Sequence, residues 1–451
     1  MWINATRARG RGASNVRATA AALAAAGLLA ACGSSSSSTT ASGSGTAAAS
    51  SVSTASAAGT SAASTIKVPT GAPIKIGSIG SCSGVLASTI GGVCETMTAW
   101  GEWVNAHGGI NGHPVKVYAL DDAASPTTGV TDVKQLLADK VVAIVGEYSV
   151  GDGLWVPIAT KAGVPIIGAL NGGAPAVANP LYFSTGSQTG TDVYVDVKLA
   201  QQQGKTKVGI MYCAESPLCA VTGKLVKTVA GQYVPGTQGV YQAALSATAP
   251  SYTSNCLAAR SAGVQALLMP LASTVMARVA ADCTQQGYKP LLMGLGGNLD
   301  PSLARNPLMK GAIESSAALT AGATQNPGIQ EMAAALARYA PSLTPSSSTY
   351  NGNVTQAWAA AQVFKQAATD ADLGPSSTSQ DLERGLYMID NATADGVAPP
   401  LTYHEGRVQP VPCAYVDEIQ NQKVVPGDNS QTICVPAQEY PSLLKLSAAG
   451  G

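Results

Sequence analysis

The sequence carries little charge and no excess of either sign. Charged residues make up 12% of the 451 residues, and 26 basic side chains balance 26 acidic ones, so the formal net charge is zero. Proteins that hold nucleic acid or an anionic surface by electrostatic attraction display a basic excess. The composition gives no basis for such partners, and we expect that the chain binds no nucleic acid.

Histidine, the commonest general base, occurs only three times, at His107, His113 and His404. The sequence has no Gly-x-Ser-x-Gly nucleophile motif, and its glycine-rich stretches at 151–153 and 294–297 match neither the phosphate-binding nor the dinucleotide-binding pattern. There is no Cys-x-x-Cys pair, and no histidine lies at metal-ligand spacing from a cysteine. These absences argue against an enzyme, and the sequence predicts neither a metal nor another cofactor.

Long apolar runs are absent after residue 32, so no later segment is predicted to span a membrane. Residues 1–32 have the pattern of an export signal, with a basic start followed by an apolar run from Ala20 to Ala31. The run ends in Leu29-Ala30-Ala31-Cys32, which resembles the lipobox of bacterial lipoproteins, whose cysteine is acylated after cleavage. We therefore expect a lipid anchor on Cys32; the alternative is an ordinary secretory signal with a chance cysteine.

Residues 33–73 come next, and most of this segment consists of Ser, Thr, Ala and Gly, with little that could form a core. Chains of this composition behave as flexible coils. We expect the segment to tether the folded part to the lipid anchor.

Eight cysteines remain besides Cys32, an even number that suggests four disulfides in an exported chain. The sequence does not fix their connectivity, but Cys256 and Cys283 each lie in a predicted helix, seven and four residues before the glycine that ends it. In parallel neighbouring helices this offset is about 4.5 Å, which a disulfide can span. Spacing along the chain favours four local pairs: Cys82 with Cys94, Cys213 with Cys219, Cys256 with Cys283, and Cys413 with Cys434.

From residue 74 onward, short β-branched runs alternate with amphipathic stretches, which is typical of α/β folds with parallel sheets covered by helices on both faces. In such sheets ligands bind at the carboxyl ends of the strands, and this length of chain predicts two lobes. The predicted strands are 74–77, 115–120, 142–146, 164–167, 208–212, 266–270 and 290–294. The predicted helices are 96–106, 130–139, 155–162, 222–231, 252–261 and 274–286.

Short motifs follow one another in a recognisable order: Ile76-Gly77, Ser83-Gly84, His107-Gly108-Gly109-Ile110-Asn111-Gly112, Leu120-Asp121-Asp122-Ala123, Ile144-Val145-Gly146, Ala162-Gly163-Val164-Pro165, Gln286-Gly287-Tyr288 and Leu401-Thr402-Tyr403. Together they resemble the leucine/isoleucine/valine-binding family of type I periplasmic binding proteins, the substrate-binding subunits of branched-chain amino acid ABC transporters. The resemblance extends over residues 74–425.

The resemblance implies a Venus-flytrap architecture, in which two α/β lobes, each a parallel sheet with helices on both faces, are joined by a three-strand hinge. Lobe one would comprise 74–191 and 320–396, lobe two 192–319 and 397–440, with a tail at 441–451. The lobes would close on a small solute, and an ABC permease would recognise the closed form. We expect a monomer on the outer face of the cytoplasmic membrane. A sensor or an envelope scaffold is the alternative use of this fold.

Family members hold their ligand with loops that follow strands, and these loops give the candidate ligand-binding residues. Hydroxyl and backbone N–H groups in lobe one suit a carboxylate. Alternatively, Ser149 and Asn171 only satisfy their own turns, and Tyr148 and Trp155 pack in the core. The lobe-one candidates are Ser83, Thr89, Tyr148, Ser149, Trp155, Leu170, Asn171 and Gly172. The lobe-two candidates are Glu215, Ser216, Ser273 and the loop from Gly294 to Gly297, with Gly296 at its centre.

One departure from the family bears on the ligand. Amino-acid receptors of this family carry a carboxylate just after the strand that corresponds to 290–294, where it pairs with the ammonium group of the ligand. Here the loop is Leu295-Gly296-Gly297-Asn298, which has no acid. A buried ammonium group without a paired charge costs several kcal/mol. Either Glu215 or Glu147 replaces the missing acid, or the solute is a different small carboxylate, amide or aromatic compound, which the sequence favours.

Overall fold

The computed structural model describes residues 68–215 and 217–449. The predictions for Cys32, for the export signal and for most of the tether therefore lie outside the described residues. The first part of the described chain contains, in order, β1 (Ile74–Gly80), α1 (Ala87–Ile90), α2 (Gly92–Ala106), β2 (Val115–Asp121), α3 (Pro126–Ala138), β3 (Ile144–Glu147), α4 (Asp152–Lys161), β4 (Ile166–Gly168), α5 (Ala174–Ala178) and β5 (Tyr182–Ser184).

The rest of the chain continues the alternation, with a helical segment before the last strands. It contains α6 (Thr189–Gln202), β6 (Lys207–Cys213), α7 (Pro217–Gln232), β7 (Gln238–Leu245), α8 (Thr253–Ser261), β8 (Ala266–Leu268), α9 (Ser273–Gln285), β9 (Leu291–Met293), α10 (Pro301–Ala304), β10 (Ile313–Ser316), α11 (Pro327–Tyr339), α12 (Gly352–Asp370), α13 (Ser379–Leu386), β11 (Cys413–Gln420), β12 (Lys423–Pro426), β13 (Ile433–Cys434) and α14 (Tyr440–Ala449).

Lobe one is built on a five-stranded parallel sheet in the order β2-β1-β3-β4-β5. Side chains on β1 alternate between the two faces, so that Ile76 packs into one hydrophobic core and Ile79 into another. The first core holds α2 and α12, whose aromatic rings meet at Trp103 and Trp358 with 5.3 Å between centroids. The second holds α3 and α4, including the fully buried Trp155. Helices therefore cover both faces, as predicted.

Lobe two has its main strand path in the order β12-β11-β10-β9-β8-β6-β7. The five strands from β10 to β7 are parallel, whereas β11 and β12 join at one edge in antiparallel pairs, so this sheet is mixed rather than wholly parallel. Neighbouring β6 residues face opposite cores: Ile210 packs with α6 and α7, and Met211 packs with α8 and α9. Burial on both faces explains why the inner strands β8 and β9 are apolar.

The chain crosses between the two sheets three times, after β5, after β10 and before β11. Hydrogen bonds join the crossings to one another. The side chain of Gln188, in the crossing after β5, accepts the N–H of Val411, before β11, at 3.0 Å. The N–H of Leu319, in the crossing after β10, donates to the Val397 carbonyl at 2.8 Å. Helix α6, which begins at Thr189, packs against β10 and β11 of lobe two. The lobe boundaries at 191/192, 319/320 and 396/397 stay a prediction.

All four favoured cysteine pairs are disulfide-bonded, with Cα–Cα distances of 6.1 Å for Cys82–Cys94, 5.5 Å for Cys213–Cys219, 5.0 Å for Cys256–Cys283 and 4.0 Å for Cys413–Cys434. Cys256 and Cys283 join the neighbouring helices α8 and α9, as helix geometry predicted. Within residues 68–215 and 217–449, we find no helix that combines the length and apolar character needed to cross a membrane.

Candidate functional site

The loops at the carboxyl ends of the two sheets face each other, and the lobes touch directly there. The N–H of Gly352, the first residue of α12, donates to the Gly297 carbonyl at 3.1 Å. Gln356 Nε2, one turn further along α12, donates to the Gly296 carbonyl at 3.0 Å. Close to this contact, at the first crossing, Thr189 Oγ1 donates to the Gly172 carbonyl at 3.3 Å. The loop between β9 and α10 therefore rests on the start of α12.

The loop after β1 is held by Asp121 at the end of β2. Asp121 Oδ1 accepts the backbone N–H groups of Cys82 at 2.9 Å and of Ser83 at 3.1 Å. Burial raises the pKa of Asp121, but hydrogen bonds from Ser83, Ala123 and Cys82 outweigh it, so the pKa lies below its usual value. Ser83 is exposed at this rim. Thr89 lies in α1, where its carbonyl accepts the side-chain amides of Asn351 and Asn353.

Ser149 belongs to a hydrogen-bond network inside lobe one. It is fully buried, and its hydroxyl donates to Asp122 while it accepts the N–H of the Trp155 indole at 3.0 Å. Asp122 also accepts the Ser81 hydroxyl at 2.6 Å. Trp155 thus packs in the core and does not face the cleft. Packing in the core was the alternative interpretation of this residue from the sequence. In this structure Ser149 satisfies its own surroundings, and a role in binding stays a prediction.

The turn after β4 is also internally bonded. Asn171 is buried, donates to the Ala169 carbonyl at 2.9 Å and accepts the Thr185 N–H at 3.1 Å. The Leu170 carbonyl accepts the Tyr182 hydroxyl at 2.8 Å. The Gly172 carbonyl accepts the hydroxyl of Thr189, which lies at the first crossing between the sheets. The turn is therefore bonded to the first crossing through its backbone.

The lobe-two candidates lie in different surroundings. Glu215 is exposed, and its Oε1 accepts the Ala247 N–H at 2.8 Å, so it braces a rim loop next to the Cys213–Cys219 disulfide. Ser273 is buried and donates its hydroxyl to Asp300. Gly296 lies at the contact between the lobes, with φ +72°. Ser216 lies outside the described residues.

Tyr148 is the aromatic candidate that reaches the contact between the lobes. It follows β3, is 9% exposed, and its hydroxyl donates to Asn353 Oδ1 at 2.5 Å. Burial, followed by the charges of Asp192 and Glu147, raises the Tyr148 pKa. Asp192, Asn353 and Gln356 were not predicted as site residues from the sequence, because they lie in helices rather than in loops after strands. Their only sequence signal is the position of each near the start of a helix.

The acids around the site are buried without basic partners. Burial raises the pKa of Asp192 to about 7. It also raises the pKa of Glu147, with a further contribution from the charge of Asp152. Within residues 68–215 and 217–449, the salt bridge that forms joins Arg384 to Asp381 on α13. It involves none of these buried acids. No group of His, Cys, Asp and Glu side chains in that part of the chain has the arrangement of a metal site.

Two α/β lobes of this topology, joined by three crossings and facing each other through the carboxyl ends of their strands, define a type I periplasmic binding protein. The chain belongs to the periplasmic binding protein family, whose model matches residues 73–423. Proteins of this family are extracytoplasmic solute receptors. No curated protein sequence matches the chain.

Solved structures share the fold at low sequence identity. A branched-chain amino acid ABC transporter protein from Thermus thermophilus with bound valine has a TM-score of 0.71 and 16% identity, over 83% of this chain and 98% of that chain. A solute binding protein from R. palustris in complex with benzoate has a TM-score of 0.65 and 16% identity, over 80% and 98%. A fatty acid ABC transporter substrate-binding protein from Thermomonospora curvata has a TM-score of 0.65 and 19% identity, over 81% and 96%.

Proposed function

We propose that this chain is the solute-binding lipoprotein of an ABC-type uptake system and holds a small organic solute between its two lobes. The observation that carries the proposal is the meeting of strand-end and helix-start groups from both lobes at one place: Tyr148 and Gln356 from lobe one, and Asp192 and Gly296 from lobe two. A solute at this place would contact both lobes at once and would stabilise their closed arrangement.

The similar structures support the proposal through the range of ligands in their names, which runs from valine to benzoate to a fatty acid. This range is consistent with one scaffold whose cleft residues select the solute. The lipobox-like sequence around Cys32 supports a lipid anchor outside the cytoplasmic membrane, with the Ser/Thr/Ala/Gly segment as the tether. The partners would then be the solute, an ABC permease and the membrane, with the receptor itself a monomer.

Thermal unfolding of the full chain, with its disulfides intact, tests the proposal against amino acids, amides, carboxylates, aromatic acids and sugars. A solute at a hundred times its dissociation constant adds about 2.7 kcal/mol to the free energy of unfolding, which a melting curve detects readily. A shift with one chemical class supports a solute receptor. No shift with any compound, in protein that denaturation and mass analysis show to be free of bound solute, would favour the sensor or scaffold role instead.

A further inference from the structure

The glycine-rich loop that contacts lobe one is held inside lobe two by the carboxyl group of Glu314. Glu314 lies on β10 and is fully buried. Its Oε2 accepts the Asn298 N–H at 2.9 Å, and its Oε1 accepts the Leu299 N–H at 2.8 Å. The same loop presents the carbonyls of Gly296 and Gly297 to α12. One carboxyl group therefore fixes the backbone that touches the other lobe.

The space for this carboxyl group depends on Gly294, where the loop begins. A Cβ atom built on Gly294 would collide with Glu314 Oε2. The backbone also ties the loop to β10, because the Gly294 N–H donates to the Ile313 carbonyl at 3.0 Å. The Gly297 N–H donates to the Ser315 carbonyl at 3.2 Å. The absence of a side chain at residue 294 thus lets the carboxyl group lie against the loop backbone.

A second buried acid, Asp417, stands directly opposite Glu314 in the antiparallel pair of β10 and β11. Residues that oppose each other in such a pair have their side chains on the same face, with Cβ atoms about 4.5–5.5 Å apart. Two negative charges at that separation repel each other strongly where water is excluded. Burial raises the pKa of both acids, and the charge of Asp417 raises the pKa of Glu314 further. The pair therefore favours keeping one proton.

Hydrogen bonding places this proton on Asp417. The two N–H donors of the loop favour the ionised form of Glu314, because a carboxylate is the stronger acceptor. Neither oxygen of Asp417 accepts a hydrogen bond of normal geometry from residues 68–215 and 217–449. The Ser316 hydroxyl, which donates to the Ala318 carbonyl, lowers the pKa of Asp417, but burial outweighs it and raises that pKa to about 8. At neutral pH, a neutral Asp417 therefore stands beside an ionised Glu314.

The other titratable groups around the pair add no positive charge. Asp192 and Asp196, one turn apart on α6, are acids, and Tyr148 after β3 is a phenol. Asp196 Oδ1 accepts a backbone N–H of β10 at 2.6 Å. Asp300, next along the loop, accepts hydrogen bonds from Ser273 and from the start of α10. Within residues 68–215 and 217–449, none of these acids forms a salt bridge, so no salt-bridge partner replaces the proton of the pair.

We propose that Glu314 and Asp417 form a proton-dependent latch for the loop 295–299. While Asp417 carries its proton, Glu314 holds two N–H groups of the loop, and the loop stays in place against α12. As the pH rises past about 8, both acids become ionised and repel each other, and the loop is released. Glu314 is thus a positioning residue. The latch itself needs no solute, whereas its consequence, weaker closing of the lobes at alkaline pH, rests on the proposed function.

Amide hydrogen exchange of the solute-free full chain tests the latch, with rates measured by mass spectrometry and corrected for the intrinsic rate at each pH. The amides of interest are those of Asn298 and Leu299. The Met269 N–H, which donates to the Met293 carbonyl at 2.9 Å, is the reference inside the same lobe. The reference separates local release of the loop from unfolding of the whole lobe.

Three variants accompany the wild type. Glu314→Gln keeps the shape but replaces one acceptor oxygen by a donor. Asp417→Asn removes the proton that the latch gains and loses. Glu418→Gln is the matched control, because Glu418 is the next residue of β11 and its side chain points to the opposite face. Melting curves of all four proteins check that they fold.

We expect the loop amides of the wild type to be at least about tenfold less protected than the Met269 amide, because they open locally. Their protection should fall by about fivefold to tenfold between pH 7 and pH 9, as the proton of Asp417 is lost. Glu418→Gln should behave like the wild type, and Asp417→Asn should change by less than about twofold over this range. Glu314→Gln should lose about tenfold or more of the loop protection already at pH 7.

Three results would overturn the latch. The first is equal exchange of the loop amides and the Met269 amide, since the loop would then open only when the lobe unfolds. The second is constant loop protection from pH 7 to pH 9 in the wild type, and the third is an equal fall in Asp417→Asn. The wild-type profile decides the question even if a variant does not fold. A solute screen without a hit would overturn the proposed function but not the latch, so the two proposals fail separately.

Discussion

Gly297 and Gly352 bring the backbones of the two lobes into direct contact. The Gly352 N–H donates to the Gly297 carbonyl at 3.1 Å, and a Cβ atom on Gly352 would lie 2.7 Å from Gly297 Cα. The clash would be with backbone atoms, which no rotation of a side chain can relieve. The absence of a side chain at Gly352 is thus a requirement of this contact between the lobes.

Gly352→Ala should therefore push the lobes apart. Overpacking of this kind costs about 1–3 kcal/mol. Because the contact between Gly352 and Gly297 joins the two lobes, this cost opposes their closing on a solute, and we expect solute affinity to fall by about fivefold to more than a hundredfold. Small-angle scattering should show a larger radius of gyration. Gly153→Ala is the control, since Gly153 lies in the first turn of α4 with no atom within 4 Å of the position that a Cβ would take, and it should stabilise the protein slightly. Unchanged scattering and affinity in Gly352→Ala would contradict this prediction.

The buried carboxyls make stability depend on pH, and Asp417 is the clearest case. It stands directly opposite Glu314 in the β10–β11 pair, and burial raises its pKa from 3.8 to about 8. The folded state keeps this proton while the unfolded state loses it near pH 3.8, so the stabilisation is complete below that pH and is lost as the pH rises towards 8. Between about pH 5 and about pH 8 we expect the free energy of unfolding to fall by up to about 4 kcal/mol from this group.

Urea unfolding at both pH values measures this loss. Asp417→Asn should be more stable than the wild type at the higher pH, and its free energy of unfolding should differ less between the two pH values. The remaining difference comes from the other buried acids whose pKa burial raises, which are Glu147, Asp152, Asp192, Asp196 and Glu314. Asp370→Asn, at the exposed end of α12, should leave the wild-type dependence in place. If the free energy of unfolding of Asp417→Asn fell with rising pH as much as that of the wild type, Asp417 would not be the source of this fall.

The sequence predicted the strands and helices best where apolar residues are concentrated in short β-branched runs, as in β1 and β6. It missed β7, an edge strand whose sequence Gln-Gly-Val-Tyr-Gln-Ala-Ala-Leu is half polar, and α12, an alanine-rich helix that is buried along most of its length. Edge strands lack the burial on both faces that produces the apolar signal. A helix buried all round lacks the polar face that makes a helical period visible.

The candidate site was harder to predict because its groups meet through tertiary contacts. Tyr148 and Asn353 are 205 residues apart along the chain, yet their side chains are hydrogen-bonded. Tyr148 and Gly296 could be predicted because they lie in loops that follow strands. Asp192 and Gln356 lie near the starts of helices, which only the packing of the lobes brings to the cleft. The disulfide between Cys256 and Cys283 could be predicted because helix geometry alone fixes its offset.

The disulfides should differ in their resistance to reduction. Cys256 and Cys283 are buried between α8 and α9, and their bond closes a separation of 27 residues. Cys213 and Cys219 are partly accessible at the rim beside the exposed Glu215, and their bond closes a separation of only 6 residues. Since a thiol reductant must reach the sulfur, a low concentration of dithiothreitol should open the rim disulfide first.

The two bonds should also contribute unequally to stability. In the chain-entropy account, a disulfide stabilises by restricting the unfolded chain, and this effect grows with the length of the closed loop. The expected contributions are about 3.5 kcal/mol for Cys256–Cys283 and about 2.2 kcal/mol for Cys213–Cys219. Alkylation and mass analysis after graded reduction give the order of opening, and melting of the two double variants, each with both cysteines replaced by alanine, gives the losses. Equal losses would contradict the effect of loop length, and earlier opening of the buried disulfide would contradict the effect of burial.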